Sequence, residues 1–225
     1  MTLKLYMNPV STVSRPVSLL IAEKNLPVEQ HVLDLRAGEH RTPEYAAINP
    51  NMQVPALVEG DFRLTESSAI LKYLASRFDA PEYPKDLKER AKVDSAMDWF
   101  NTQFYRDFGY NLLYPQIFPH HKRPTDEHHS GTIAWGKQKT QGWLAILDAN
   151  IIGANDYVAN NKISIADYFG ACLMTAGELI GCTYDSYPNI RRWLGNMRKL
   201  KSWESVNAAM YGMAGAFKDK QFETV

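Results

Sequence analysis

The stretch "INPNMQVPALVEGDFRLTESSAILKYL" (48–74) decides the fold. Within it, "VPALVEGDFRLTE" (54–66) reads as two short strands on either side of Glu59-Gly60-Asp61. "SSAILKYLASRF" (67–78) then brings Ile70, Leu71, Leu74 and Phe78 to one face, the spacing of an amphipathic helix. Outward toward the N-terminus, "LKLYM" (3–7) alternates apolar with polar residues and Asn8-Pro9 turns the chain. "SRPVSLLIAEKN" (14–25) follows, with Val17, Leu20 and Ile21 at helical spacing and Pro16 near its start. "VEQHVLDL" (28–35) alternates again, and Thr42-Pro43 opens a short helix in "TPEYAAIN" (42–49). The first eighty residues therefore read as βαβ followed by ββα.

Toward the C-terminus the texture changes. "DAPEYPKDLKER" (79–90) carries two prolines and alternating charge, as a connecting segment does. Beyond it lie helical patterns near 91–118, 130–150, 164–180, 188–200 and 202–212, with no hairpin signal. The expected organisation is an α/β domain at 1–80, a linker at 81–90 and an all-helical domain at 91–225, whose tail after Ala214 reads as polar and weakly structured. In "KISIADYF" (162–169), Ser164 is placed as an N-cap with Asp167 three residues on to reach back, and Ile163 and Tyr168 are spaced as a staple. That pattern makes Asp167 a folding residue first.

The totals narrow the function. With 225 residues the chain can bury roughly 70% of its unfolded surface and needs no cross-links. Twenty-five Lys and Arg balance twenty-five Asp and Glu, which argues against nucleic acid or an anionic membrane as the main partner. The two cysteines, Cys172 and Cys182, have neither CxxC nor metal-ligand spacing. No membrane span or signal-peptide core is read, so a soluble, cytoplasmic protein is expected. Four histidines in "FPHHKRPTDEHH" (118–129) invite a metal. Their spacing puts no pair at i, i+4 with a carboxylate, so no metal site is assigned.

Two serines stand at the strand-to-helix junction "YMNPVSTVSRP" (6–16). Serines there are commonly caps that accept a first-turn N–H. Ser14, directly before Arg15-Pro16, is the better placed for that role; Ser11 stands three residues earlier, too early for the obvious cap.

The strand–helix order and these motifs together resemble cytosolic glutathione S-transferases, in which a thioredoxin-like domain precedes a helical bundle. "LKLYMNPVSTVSRPV" (3–17) is similar to the opening of theta-like members and of the related delta and bacterial dehalogenase-type members. The N-P-x-x-x-V-P-A-L and T-E-S motifs stand in 48–74 in the family's order. The likeness is strong over 3–78 and loose in the helical half.

The resemblance implies a site. Ser11 matches the catalytic serine, which would donate its hydroxyl to the glutathione sulfur and favour the thiolate. Ser14 and Arg15 are possible supports for that anion, and Arg15 could equally face solvent. Val54, ahead of a cis Pro55, would pair with the tripeptide backbone. Ser67 and Glu66 would take the γ-glutamyl carboxylate and ammonium, although a plain helix cap by Thr65 or Ser67 is the alternative. His40, with Arg41 and Gln53, would hold the glycyl carboxylate; Gln53 stands where some theta members carry lysine. Met7, Asn8, Val10, Phe108 and Tyr114 are candidates for an apolar electrophile pocket. The implied function is a homodimeric detoxifying transferase that conjugates glutathione to small electrophiles or displaces halide from them. A non-catalytic glutathione-binding or regulatory protein of the same fold is the alternative.

Overall fold

A computed structural model describes residues 2–217 and 219–225. Strand β1 (Leu3–Met7) is central to a four-stranded sheet of order β2-β1-β3-β4. Helix α1 (Arg15–Lys24) crosses over to β2 (Val28–Val32), which lies parallel to β1 with Leu3 opposite Val28. Strands β3 (Ala56–Glu59) and β4 (Phe62–Leu64) form the hairpin read from the sequence, and β3 runs antiparallel to β1 with Tyr6 opposite Ala56. Between the two strand pairs stands α2 (Pro43–Ala46), capped by Thr42, whose hydroxyl accepts from the Tyr45 N–H.

Period-two alternation on β1 divides the packing. Leu3, Leu5 and Met7 enter the main core with α1 and α3 (Ser67–Arg77), while Tyr6 joins a smaller cluster of Leu33, Tyr45 and Ala56 on the opposite face. Met7 is therefore a core residue and not a pocket residue.

The helical half begins with α4 (Leu87–Trp99), inside the stretch expected to be a linker. Asp86 causes this early start, because its carboxylate accepts from the N–H groups of Lys88 and Glu89 and caps the first turn. The rest of that segment is packed as well. Glu82 is buried, pairs with Lys24 of α1, and accepts at its carbonyl from the Ile165 N–H.

After α4 the chain winds as π-helix over Phe100–Phe104 and Arg106–Leu113 before α5 (Tyr114–Ile117). Helix α6 (Asp126–Ile146) runs into a π-helical turn at Leu147–Ile152. Helix α7 (Ile165–Ala176) is buried along its whole length, and α8 (Pro188–Met197) and α9 (Trp203–Ala214) complete the bundle. The capping box at Ser164 and Asp167 forms as read. Asp167 also accepts from the Val158 N–H and the Trp193 indole, both at 2.9 Å.

The tail after Ala214 is not loose. Gln116 and Glu223 exchange two hydrogen bonds, at 2.8 and 3.0 Å, and Lys137 pairs with Glu223. Phe222 and Val225 supply the apolar contacts that hold this segment against the core. One buried cluster runs from Leu3 to Met210, so both halves share a core. No helix among the described residues is long and apolar enough to cross a membrane.

Candidate active site

The turn between β1 and α1 is built by Asn8. Its side-chain amide donates to the Leu33 carbonyl at 2.9 Å, its Oδ1 accepts from the Val10 N–H at 3.0 Å, and its carbonyl accepts from the Ser11 N–H at 3.0 Å. Asn8 thus orients the loop, and its side chain is engaged there instead of lining a pocket. Val10 is half-buried in the same turn.

The cap assignment reverses. Ser14 already has helical dihedrals, is fully buried and forms no side-chain cap; its hydroxyl accepts only a long 3.5 Å contact from the Asn8 N–H. Ser11 does the capping: its Oγ accepts from the Ser14 N–H at 3.2 Å, and its carbonyl from the Arg15 N–H at 3.1 Å. The turn at 12–14 moves the effective cap three residues upstream. A hydroxyl that accepts through a lone pair keeps its proton for another acceptor. The N–H groups of Thr12 and Val13 have no hydrogen-bond partner among the described residues.

Arg15 neither faces solvent nor points at the loop. Its guanidinium is wholly buried and donates to Asn207 Oδ1 at 2.6 Å, the Cys172 carbonyl at 2.7 Å and the Thr175 hydroxyl at 3.4 Å. The side chain therefore crosses from α1 into α7 and α9. Five donors in a rigid fork suit three acceptors spread over two helices.

The Val54–Pro55 peptide is cis. Val54 lies just outside the ladder, which ends with Ala56 opposite Tyr6. Its neighbour is fixed from behind, since the Gln53 carbonyl accepts from the Tyr45 hydroxyl and the Asn49 amide, both at 2.6 Å. Burial pushes the Tyr45 phenol up to about 12, which keeps it a donor. The side chain of Gln53 is exposed.

His40 and Arg41 stand on a short turn, Glu39–Arg41, with the Arg41 Nε donating to the His40 Nε2 at 3.3 Å. Burial and the Arg41 charge hold the His40 imidazole below its ordinary pKa, and its buried Nδ1 has no partner among the described residues. Glu66 precedes α3 with φ of 65°, a left-handed conformation that costs about 1–3 kcal/mol in a non-glycine residue. No side chain caps α3, so the plain-cap alternative is absent, and buried Ser67 begins the helix with first-turn N–H groups available.

Of the pocket candidates on the long helix, Phe108 is a core residue, stacked on Phe104 at 4.8 Å between ring centres. Tyr114 belongs instead to an aromatic cluster. Its ring centre lies 5.3 Å from Tyr110, 6.0 Å from Tyr105, 5.5 Å from Phe118 and 5.2 Å from His121. Tyr110, at 41% exposure, opens the cluster to solvent. Burial raises the Tyr114 phenol above its ordinary pKa, and the hydroxyl of Thr12, next to Ser11, stands near enough to oppose part of that rise.

Sequence reasoning missed Asn49, whose signal lay in the quoted N-P motif, and Tyr45, in the short helix just ahead of it. It also missed Tyr105, hidden by the π-winding, and His121, read only as a metal candidate. Among the described residues no group of three or more His, Cys, Asp or Glu could hold a metal ion.

Comparison with known proteins gives consistent matches. Residues 1–76 match the family described as "Glutathione S-transferase, N-terminal domain". Mouse (Mus musculus) glutathione S-transferase theta-1 is 30% identical over 205 residues, covering 86% of this chain and 81% of the relative. A delta-class glutathione transferase from Nilaparvata lugens superposes with a TM-score of 0.82 at 29% identity, over 96% of this chain and 98% of the other. A glutathione transferase homolog from Sulfitobacter, solved with bound glutathione, superposes at 0.79 and 25% identity over 94% of this chain and 99% of the other.

Proposed function

This chain belongs to the glutathione S-transferase family, and we propose that it activates its co-substrate, glutathione, by holding the thiol as a thiolate against the Ser11 hydroxyl. An ordinary thiol of pKa about 8.5 is only ~3% ionised at pH 7. Lowering the pKa by about 2 units takes about 2.7 kcal/mol of selective stabilisation of the anion. A hydrogen bond to a charged group contributes roughly 1.5–3 kcal/mol, and a helix N-terminus adds about 0.3–1. Ser11 with the start of α1 is of the required magnitude. The serine remains neutral throughout; it donates, and the sulfur is the nucleophile.

The supporting observation is the Ser14 N–H bond to the Ser11 oxygen, which fixes the hydroxyl and leaves its proton free. The tripeptide is gripped around that point. Val54 offers its backbone to the cysteinyl unit, and Ser67 with the N-terminus of α3 takes the γ-glutamyl carboxylate beside Glu66. His40, Arg41 and Gln53 take the glycyl end. Arg15 supports the site by fixing α1 against the helical half, and Ser14 by feeding its N–H to Ser11.

The electrophile occupies the aromatic cluster around Tyr114. The protein acts in the cytoplasm, and it does so as a homodimer; the exposed Met52 and the exposed Phe62 packed on Tyr73 support the dimer. Ultraviolet titration of bound glutathione tests the mechanism: a thiol midpoint that is the same in wild type and Ser11→Ala rejects the hydroxyl donor.

A further inference from the structure

Helix α8 faces the turn that follows α7 across a cavity of about 230 Å³. Arg191, Leu194 and Arg198 stand at i, i+3 and i+7 on it, one side of the helix, with about 10 Å of axis between the two arginines. Glu178 and the turn Cys182, Thr183, Tyr184 close the opposite side. Sites for drug-sized molecules run to roughly 300–1,000 Å³, so this one suits a small metabolite. It shares no residue with the thiol site.

The turn forms a fixed, neutral wall. Tyr184 has φ of 59°, a left-handed conformation that a non-glycine residue holds only where its surroundings enforce it. Here the buried phenol donates to the Met174 carbonyl at 2.6 Å, and the Tyr184 carbonyl accepts from the Tyr187 N–H at 3.0 Å. Burial pushes the Cys182 thiol up to about 11, so it brings no negative charge. Leu194, at 2% exposure, makes the middle of the facing wall apolar.

The two cations are held apart. Arg198 donates one hydrogen bond, from Nη2 to Glu178 at 2.6 Å, while Arg191 meets Asp185 only at 3.6 Å, beyond hydrogen-bond range. A guanidinium carries five donors, so both keep most of theirs for another anion. Among the described residues Glu178 is the one carboxylate in the lining, against two arginines. Leaning toward different acids, the guanidiniums do not converge on one point, as a single carboxylate or phosphate would require.

We propose that this cavity is a binding site for a small dicarboxylate, one carboxylate on Arg191, the other on Arg198, and a short methylene chain over Leu194. The test is isothermal titration calorimetry of the full chain with glutarate and with butyrate at fixed ionic strength. Glutathione is kept saturating, so that carboxylate grips at the thiol site are filled. Glutarate should bind once per chain and roughly tenfold or more tightly than butyrate, which can engage only one arginine. Arg191→Gln and Arg198→Gln should each weaken glutarate at least about fivefold and leave glutathione binding unchanged. No glutarate binding, no preference over butyrate, or wild-type affinity in either variant overturns the proposal and leaves two solvated ion pairs. Failure of the thiol-site reading would show separately, as a wild-type chain that does not bind glutathione.

Discussion

The Ser14 N–H donates to the Ser11 hydroxyl oxygen across 3.2 Å, and one bond thereby serves both helix folding and sulfur chemistry. Ser11→Ala removes both. Loss of the cap should cost about 1 kcal/mol of stability. Loss of the donor disfavours the anion, so the bound thiol pKa should rise by about 1–2 units, with the rate deficit greatest at neutral pH and closing at alkaline pH. Ultraviolet titration, pH–rate profiles and thermal unfolding read the three effects.

Arg15→Met should be among the most destabilising single changes. It leaves Asn207, Thr175 and the Cys172 carbonyl without their donor in a fully buried position, at about 3–5 kcal/mol. Arg15→Lys should recover only part, since one ammonium cannot span the same acceptors. Urea unfolding midpoints decide the order.

Asp167 gives a pH dependence with a definite sign. Burial pushes its carboxyl up to about 6 from 3.8, against four hydrogen bonds pulling the other way. The folded state then binds the proton more tightly than the unfolded chain, so stability present below about pH 4 is lost as pH rises toward about 6, by roughly 2–3 kcal/mol. Asp167→Asn lacks this titration and cannot accept at its amide nitrogen. Its stability deficit, read from urea midpoints, should be larger at about pH 4 than at about pH 7.

Two glycines should respond oppositely to alanine. Gly109→Ala drives a Cβ into the Tyr105 ring and should cost about 1–3 kcal/mol. Gly142 lies on the exposed side of α6 with nothing within 4 Å of an added Cβ, so Gly142→Ala should stabilise by about 0.5–1 kcal/mol. Thermal melts of both variants check the contrast.

Gln53→Lys adds a cation to the glycyl end proposed for His40, Arg41 and Gln53 without touching the backbone carbonyl that Tyr45 and Asn49 hold. A charge-assisted bond to the glycyl carboxylate should lower KM for glutathione roughly three- to tenfold, less so in high salt. An unaltered KM would remove Gln53 from the site.

The sequence was most legible where local chemistry and long-range packing agree. The alternation of Leu3, Leu5 and Met7, the turn at Gly60 and the Ser164–Asp167 box each carry their own signal and were read correctly. Arg15 was not legible because its three partners lie some 157–192 residues away, on helices whose mutual arrangement no local pattern encodes. Phe108 was misplaced, and Tyr105 missed, for a different reason: the helix widens there, which rotates the faces between Phe100 and Leu113 away from a 3.6-residue period. The tail failed because a polar average concealed Phe222 and Val225.

The burial of Arg15 also bears on how such proteins can be recombined. Grafting the first eighty residues onto another helical half would bring a cation whose acceptors stay behind, in a spot that water cannot reach. Chimeras joined at a crossover near residue 80 should therefore be tolerated only when the incoming helical half supplies an acceptor at the place of Asn207, which makes positions 15 and 207 an inheritance unit despite the distance between them along the chain.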